Sequence, residues 1–144
     1  MSPDIRDCNT PFPPKHFATR RDWERHAAWL RRNIMVSLGL LPVPPKCPLR
    51  ARISDRWDGA GYTCEKVFFE SLPGFYVTGN LYRPAGESRR RRHPAVLAAH
   101  GHWPEGRLHD RDPVYSAMLT NMQLARMGFV VFSYDMVGYN DSCQ

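Results

Sequence analysis

At 144 residues the chain can form one modest domain and not two, and 42% hydrophobic with 24% charged residues is a globular composition rather than a disordered one. Its formal net charge of +6 is local: four of the 20 basic residues form the run Arg89-Arg90-Arg91-Arg92, and removing those four leaves 16 against 14 acidic residues. That balance excludes a general nucleic-acid surface, and no aromatic residue interleaves the run to stack bases.

Met1 to Phe17 is Pro-rich and reads as an irregular arm, without the apolar core of a signal peptide. No apolar stretch is long enough to span a bilayer, so the default expectation is a cytoplasmic chain with no membrane partner. Cys8, Cys47, Cys64 and Cys143 are scattered with no C-x-x-C pair, which reads as free thiols. A helix follows the arm. Thr19 can cap it with Asp22 three residues on, and Trp23, Ala27, Leu30, Ile34 and Leu38 form one apolar stripe. Gly39 is its expected stop, and Pro42 to Pro48 a linker, dividing the chain into 1–48 and 49–144.

Beyond the linker the period changes to two. Ala51–Trp57 and Tyr62–Glu70 flank Asp58-Gly59-Ala60-Gly61 as a hairpin, and Phe75–Arg83 reads as a third strand. After the Arg run comes Ala95-Val96-Leu97-Ala98-Ala99, a short apolar strand expected to be buried on both faces and ending in His100-Gly101-His102-Trp103. Asp112-Pro113 is expected to start a second helix, with Tyr115, Met118, Leu119, Met122 and Ala125 on its inner face and Ser116 inside it. Gly128 ends that helix, and Phe129 to Asp135 forms a second nearly all-apolar strand. Strand, helix and strand make a parallel βαβ unit, giving an α/β fold with an antiparallel margin.

The two strand ends carry the chemistry. His100-Gly101-His102 after one strand and Asp135-Met136-Val137-Gly138-Tyr139-Asn140-Asp141-Ser142 after the other resemble the first half of an α/β-hydrolase, within it the acetyl xylan esterase and dienelactone hydrolase branch. That family ends its fourth strand in Asp-x-x-Gly-x-Gly-x-Ser. Asp135, Gly138 and Ser142 match, while Asn140 replaces the second Gly and must tolerate a left-handed backbone. The resemblance implies that the loop Gly101, His102 and Trp103 offers a backbone N–H to an oxyanion. It also implies that His100, Asp135 and Gly138 shape that loop.

The resemblance further implies a serine nucleophile, an acid and a base in that chain order. No Gly-x-Ser-x-Gly or Gly-x-Cys-x-Gly occurs here, so all three would follow Gln144, and His100 is not the base. The implied function is the N-terminal portion of a carboxylic-ester hydrolase, without a cofactor, acting on a small-molecule or carbohydrate ester once completed and inactive alone. A complete hydrolase sheet takes about 200 residues or more.

Two alternatives stand beside this reading. One is a non-catalytic chain that binds or folds against another. The other is a metal-dependent hydrolase using His100-x-His102, with His109, Asp110 and Asp112 nearby. That charged cluster is expected to be solvated, and in a complete enzyme Gly101→Val is expected to lower kcat far more than Arg107→Ala. In the hydrolase sheet Ala95–Ala99 would be an edge here. It carries no charge and no internal Pro, which predicts self-association, relieved by Val96→Lys.

Overall fold

The computed structural model describes residues 14–86, 91–111 and 115–143, and the chain divides into two compact units, Met1–Pro44 and Pro45–Gln144. Cys8, Arg89, Arg90, Asp112 and Pro113 lie outside the described residues.

The first unit is built on helix α1 (Arg20–Ser37). Thr19 caps it: its hydroxyl accepts the Asp22 N–H at 3.2 Å and donates to the Asp22 carboxylate at 2.7 Å. That bond, with Arg25 beside it, holds the Asp22 carboxyl below its ordinary range. The helix ends in a Schellman turn, with Gly39 left-handed at φ +67°, its N–H on Val36 and the Leu40 N–H on Met35. Of the predicted apolar stripe only Ala27 is buried. Phe17 packs edge-on against Trp23 with ring centroids 5.5 Å apart. No helix among the described residues is long and apolar enough to cross a membrane.

The second unit is a five-stranded mixed sheet. Its strands are β1 (Arg52–Gly59), β2 (Tyr62–Leu72), β3 (Phe75–Pro84), β4 (Ala95–Ala99) and β5 (Val130–Tyr134), in the order β1-β2-β3-β5-β4. β1, β2, β3 and β5 pair antiparallel, and β4 pairs parallel with β5, Leu97 opposite Phe132. The β1–β2 turn is Ala60-Gly61, and a bulge between Ser54 and Trp57 places Asp55 at φ +49°, where its carboxylate meets Lys66 Nζ at 2.9 Å.

Helix α2 (Ala117–Arg126) covers one face of the sheet. Ala117, Asn121 and Ala125, four apart, form its buried stripe, and the small Ala125 lets the helix lie close against Cys64, Tyr82 and Val131. A fully buried Val such as Val131 contributes roughly 1.5–3 kcal/mol. The helix begins later than its sequence predicts. Ser116 is its cap rather than an interior residue, its Oγ accepting the Leu119 N–H at 3.1 Å. That start turns Leu119 and Tyr115 outward, at 57% and 39% exposure. A second Schellman turn closes the helix at Gly128, with the Phe129 N–H on Leu124.

β4 departs from its expected double burial. Val96 and Ala98 pack toward the core under α2, while Ala95, Leu97 and Ala99 are exposed, because α2 covers only one face. The strand therefore alternates although its sequence does not.

Candidate functional site

The loops that leave the carboxyl ends of β4 and β5 meet, and their contact is polar and buried. His100, the first residue after β4, is 7% exposed. Its Nδ1–H donates to the Gly101 carbonyl at 2.7 Å, and its Nε2 accepts the Met136 N–H at 3.1 Å. Both ring nitrogens are thus occupied, and the Tyr139 ring stands edge-on to the imidazole at 4.6 Å. Gly101 lies under the Trp103 indole: a Cβ there would fall 2.6 Å from the ring. Trp103 in turn stacks on His109 at 4.4 Å, with 10° between their planes.

The two candidate oxyanion donors are not equivalent. The Trp103 N–H is spent within the loop, on the Gly101 carbonyl at 3.0 Å. The His102 N–H has no partner among the described residues, and the His102 side chain is exposed.

Asp135 ends β5 at 4% exposure and gathers donors from three directions. Asn140 Nδ2 donates to its Oδ1 at 2.7 Å, Thr78 Oγ1 to its Oδ2 at 3.2 Å, and the Arg107 guanidinium contacts Oδ2 through Nη1. Asn140 adopts the left-handed backbone its motif position requires, at φ +44°. Gly138 is left-handed as well, at φ +87°, and its N–H closes the turn on the Ser142 carbonyl at 2.8 Å. Ser142 is 3% exposed and its hydroxyl is hydrogen-bonded to Thr78 at 2.8 Å. It borders a 280 Å³ cavity lined by Phe75, Tyr76, Val77, Tyr134, Asp135, Met136 and Val137, as a buried hydroxyl already bonded to Thr78.

Arg107, the expected mild comparison for Gly101, is buried instead. It is 5% exposed and its Nε donates to Asn80 Oδ1 at 2.5 Å, its Nη2 to Asp141 at 2.8 Å. Sequence reasoning missed it, together with Gly106, Asn80 and Thr78. The available signal was Asp135: a carboxylate closing a buried strand needs a cation or several donors. Glu105, one residue before Gly106, accepts from His109 Nδ1 at 3.2 Å and pairs with Arg111 at 2.8 Å. The His109 bond holds the Glu105 carboxyl below its ordinary range.

Among the described residues, which leave out Asp112, the metal alternative finds no ligand set. His100 has no free nitrogen, and no three His, Cys, Asp or Glu residues among those described converge on a point.

No protein-family model and no curated protein matches the sequence. Solved structures do. Methylesterase BT1017 superposes with a TM-score of 0.71 at 28% identity, over 88% of this chain and 27% of its own. A protein from Bacteroides fragilis NCTC 9343, assigned as an acetyl xylan esterase, superposes with a TM-score of 0.60 at 18% identity, over 86% of this chain and 33% of its own. The chain spans a third or less of the length of these structures. At this level the likeness establishes an esterase-like α/β fold, a mixed sheet with one parallel pair.

Proposed function

We propose that this chain forms the N-terminal portion of a serine-dependent α/β-hydrolase for carboxylic esters, and that it supplies an oxyanion donor but not the nucleophile, acid or base. The observation that carries the reading is the His102 N–H, without a partner among the described residues, at the carboxyl end of a parallel strand. The similarity to a methylesterase supports the ester-bond chemistry.

In acyl transfer the carbonyl oxygen becomes negative as the nucleophile attacks. A fixed N–H aimed at that oxygen is stronger in the transition state than in the ground state, and so lowers the barrier. Removing one such donor typically costs about 2.7–4 kcal/mol. Of the loop Gly101, His102 and Trp103, the Trp103 N–H is spent within the loop, and the His102 N–H is the donor assigned to that work. His100 and Gly138 serve as shaping residues with Asp135, since their bonds fix the loop ends.

The test is hydrolysis of nitrophenyl acetate. The 144-residue chain should show no saturable turnover. The reading frame beyond codon 144 should encode a Gly-x-Ser-x-Gly elbow, then an acid and a His. The longer product should hydrolyse the ester and be stopped by a serine-directed phosphonate. A longer product that lacks the elbow, or is inactive, removes the esterase reading and favours a chain that binds another protein.

A further inference from the structure

We propose that Arg107 is a positioning residue: its buried guanidinium locks the loop after β4 onto the loop after β5, and so fixes where the His102 N–H points. The proposal deepens the esterase reading and rests on it for its catalytic consequence, though not for its structural one.

Three observations carry it. The first is the reach of the guanidinium. Its three nitrogens contact three separate places: Asn80 on β3 at 2.5 Å, Asp135 at the end of β5, and Asp141 in the following loop at 2.8 Å. A planar fork can do this, and a single ammonium cannot. The second is burial. Arg107 and Asp135 are 5% and 4% exposed, so removing Arg107 leaves a buried carboxylate with only the neutral donors of Asn140 and Thr78, and removing Asp135 leaves a buried guanidinium with only Asn80 and the exposed Asp141. The third is the preceding residue. Gly106 is left-handed at φ +51°, and a Cβ on it would meet Asn140 Nδ2 at 2.9 Å, Asp135 Oδ1 at 3.3 Å and His100 Nε2 at 3.3 Å. Its backbone thus seats among the groups that hold both loops, while the next side chain runs on to β3.

The loop between is fixed at both ends. His100 is tied to Met136 at one end. At the other, the Gly106 N–H bonds the Trp103 carbonyl at 2.9 Å, and Asn140 Nδ2 bonds the Glu105 carbonyl at 3.0 Å. His102 lies between these anchors. Without Arg107 the Asp135 carboxylate keeps only the neutral donors of Asn140 and Thr78 and draws in a proton or water, and the second anchor loosens. An N–H already fixed before substrate arrives needs no reorganisation during the reaction, which is the source of its strength.

The experiment has two arms. In the 144-residue chain, amide exchange is followed by NMR in the wild type, Arg107→Lys and Arg107→Met. Arg107→Lys keeps the charge and guards against a variant that fails to fold. We expect the Met136 amide to exchange at least about 10-fold faster in both variants and the His102 and Trp103 resonances to move. The β2–β3 amides, such as Phe68, should keep wild-type rates in Arg107→Lys. Unchanged Met136, His102 and Trp103 signals, or a uniform change across the sheet, overturn the proposal.

In the longer, esterase-competent product, Arg107→Lys should lower kcat by roughly 10-fold or more with KM little changed, since it displaces a transition-state contact. A rise in KM alone overturns the positioning role. A longer product with no esterase activity defeats the esterase reading and leaves the amide-exchange arm to decide the clamp.

Discussion

The imidazole Nε2 of His100 accepts the backbone N–H of Met136 across 36 residues of sequence, at 3.1 Å. With Nδ1–H on the Gly101 carbonyl, the bond fixes His100 as the neutral Nδ1–H tautomer. We expect imidazole ¹⁵N NMR to show a protonated Nδ1 and a bare Nε2. His100→Leu should cost about 1 kcal/mol in urea unfolding, the loss of a part-buried hydrogen bond. The opposite tautomer would mean that Met136 is held by something else.

Gly106 and Gly138 separate backbone strain from packing. Both are left-handed, but nothing lies within 4 Å of a Cβ at Gly138, whereas one at Gly106 strikes Asn140. Gly138→Ala should cost about 1–2 kcal/mol, the conformational penalty alone. Gly106→Ala should cost at least about 1 kcal/mol more, because Asn140 must leave Asp135. Equal losses in urea melts would refute the enclosure of Gly106.

Much of this architecture is legible from local pattern, because local rules govern it. The Thr19 cap, the three-strand antiparallel margin and the parallel β4–β5 pair follow from capping chemistry and period. The Arg107–Asp135 pair does not, because the partners lie far apart in sequence and Arg107 sits in a loop of charged residues like any solvated one. Ser116 was misplaced for a related reason: both it and Asp112 are good caps, and tertiary packing of Ala117 and Ala125 favours the later start. The double burial expected of β4 fails because an unbroken apolar run reports what both faces could bury, and only α2 is there to cover it.

The cysteines should differ sharply. Cys64 is fully buried, with Asn80 Nδ2 on its sulfur at 3.6 Å, and burial pushes its thiol up. Cys143 is exposed. Since the thiolate is the nucleophile, a disulfide reagent should modify Cys143 within minutes in the native protein, and Cys64 only on unfolding. Rapid native labelling of Cys64, located by peptide mapping, would show that α2 does not seal the core.

Acid should loosen the β4 loop through Glu105. Its carboxyl is held low by the bond from His109, with Arg111 adding to it. A carboxylate depressed in the folded state stabilises it above the unfolded carboxylate's pKa, and the contribution is lost as pH falls through the folded value. Glu105→Gln should therefore lower Tm at neutral pH and leave the acid limb of Tm against pH flatter than wild type. Parallel curves for the two proteins would show that Glu105 is not coupled to folding.

β4 closes one end of the sheet, pairing with β5 and with no other described strand. One row of its backbone N–H and C=O groups is therefore unpaired, beside Leu97 at 69% exposure, and no charge on the strand discourages another chain. The chain should associate through this edge, its sedimentation rising with concentration. The structure changes which substitution tests it. Val96 packs against the core cluster, so Val96→Lys would bury an ammonium and destabilise the fold. Leu97→Lys places the charge in solvent on the same edge. It should restore a monomer with Tm nearly unchanged, while Val96→Lys lowers Tm. A concentrated wild-type monomer whose Val96, Leu97 and Ala98 amides all resist exchange would show that this edge is already covered.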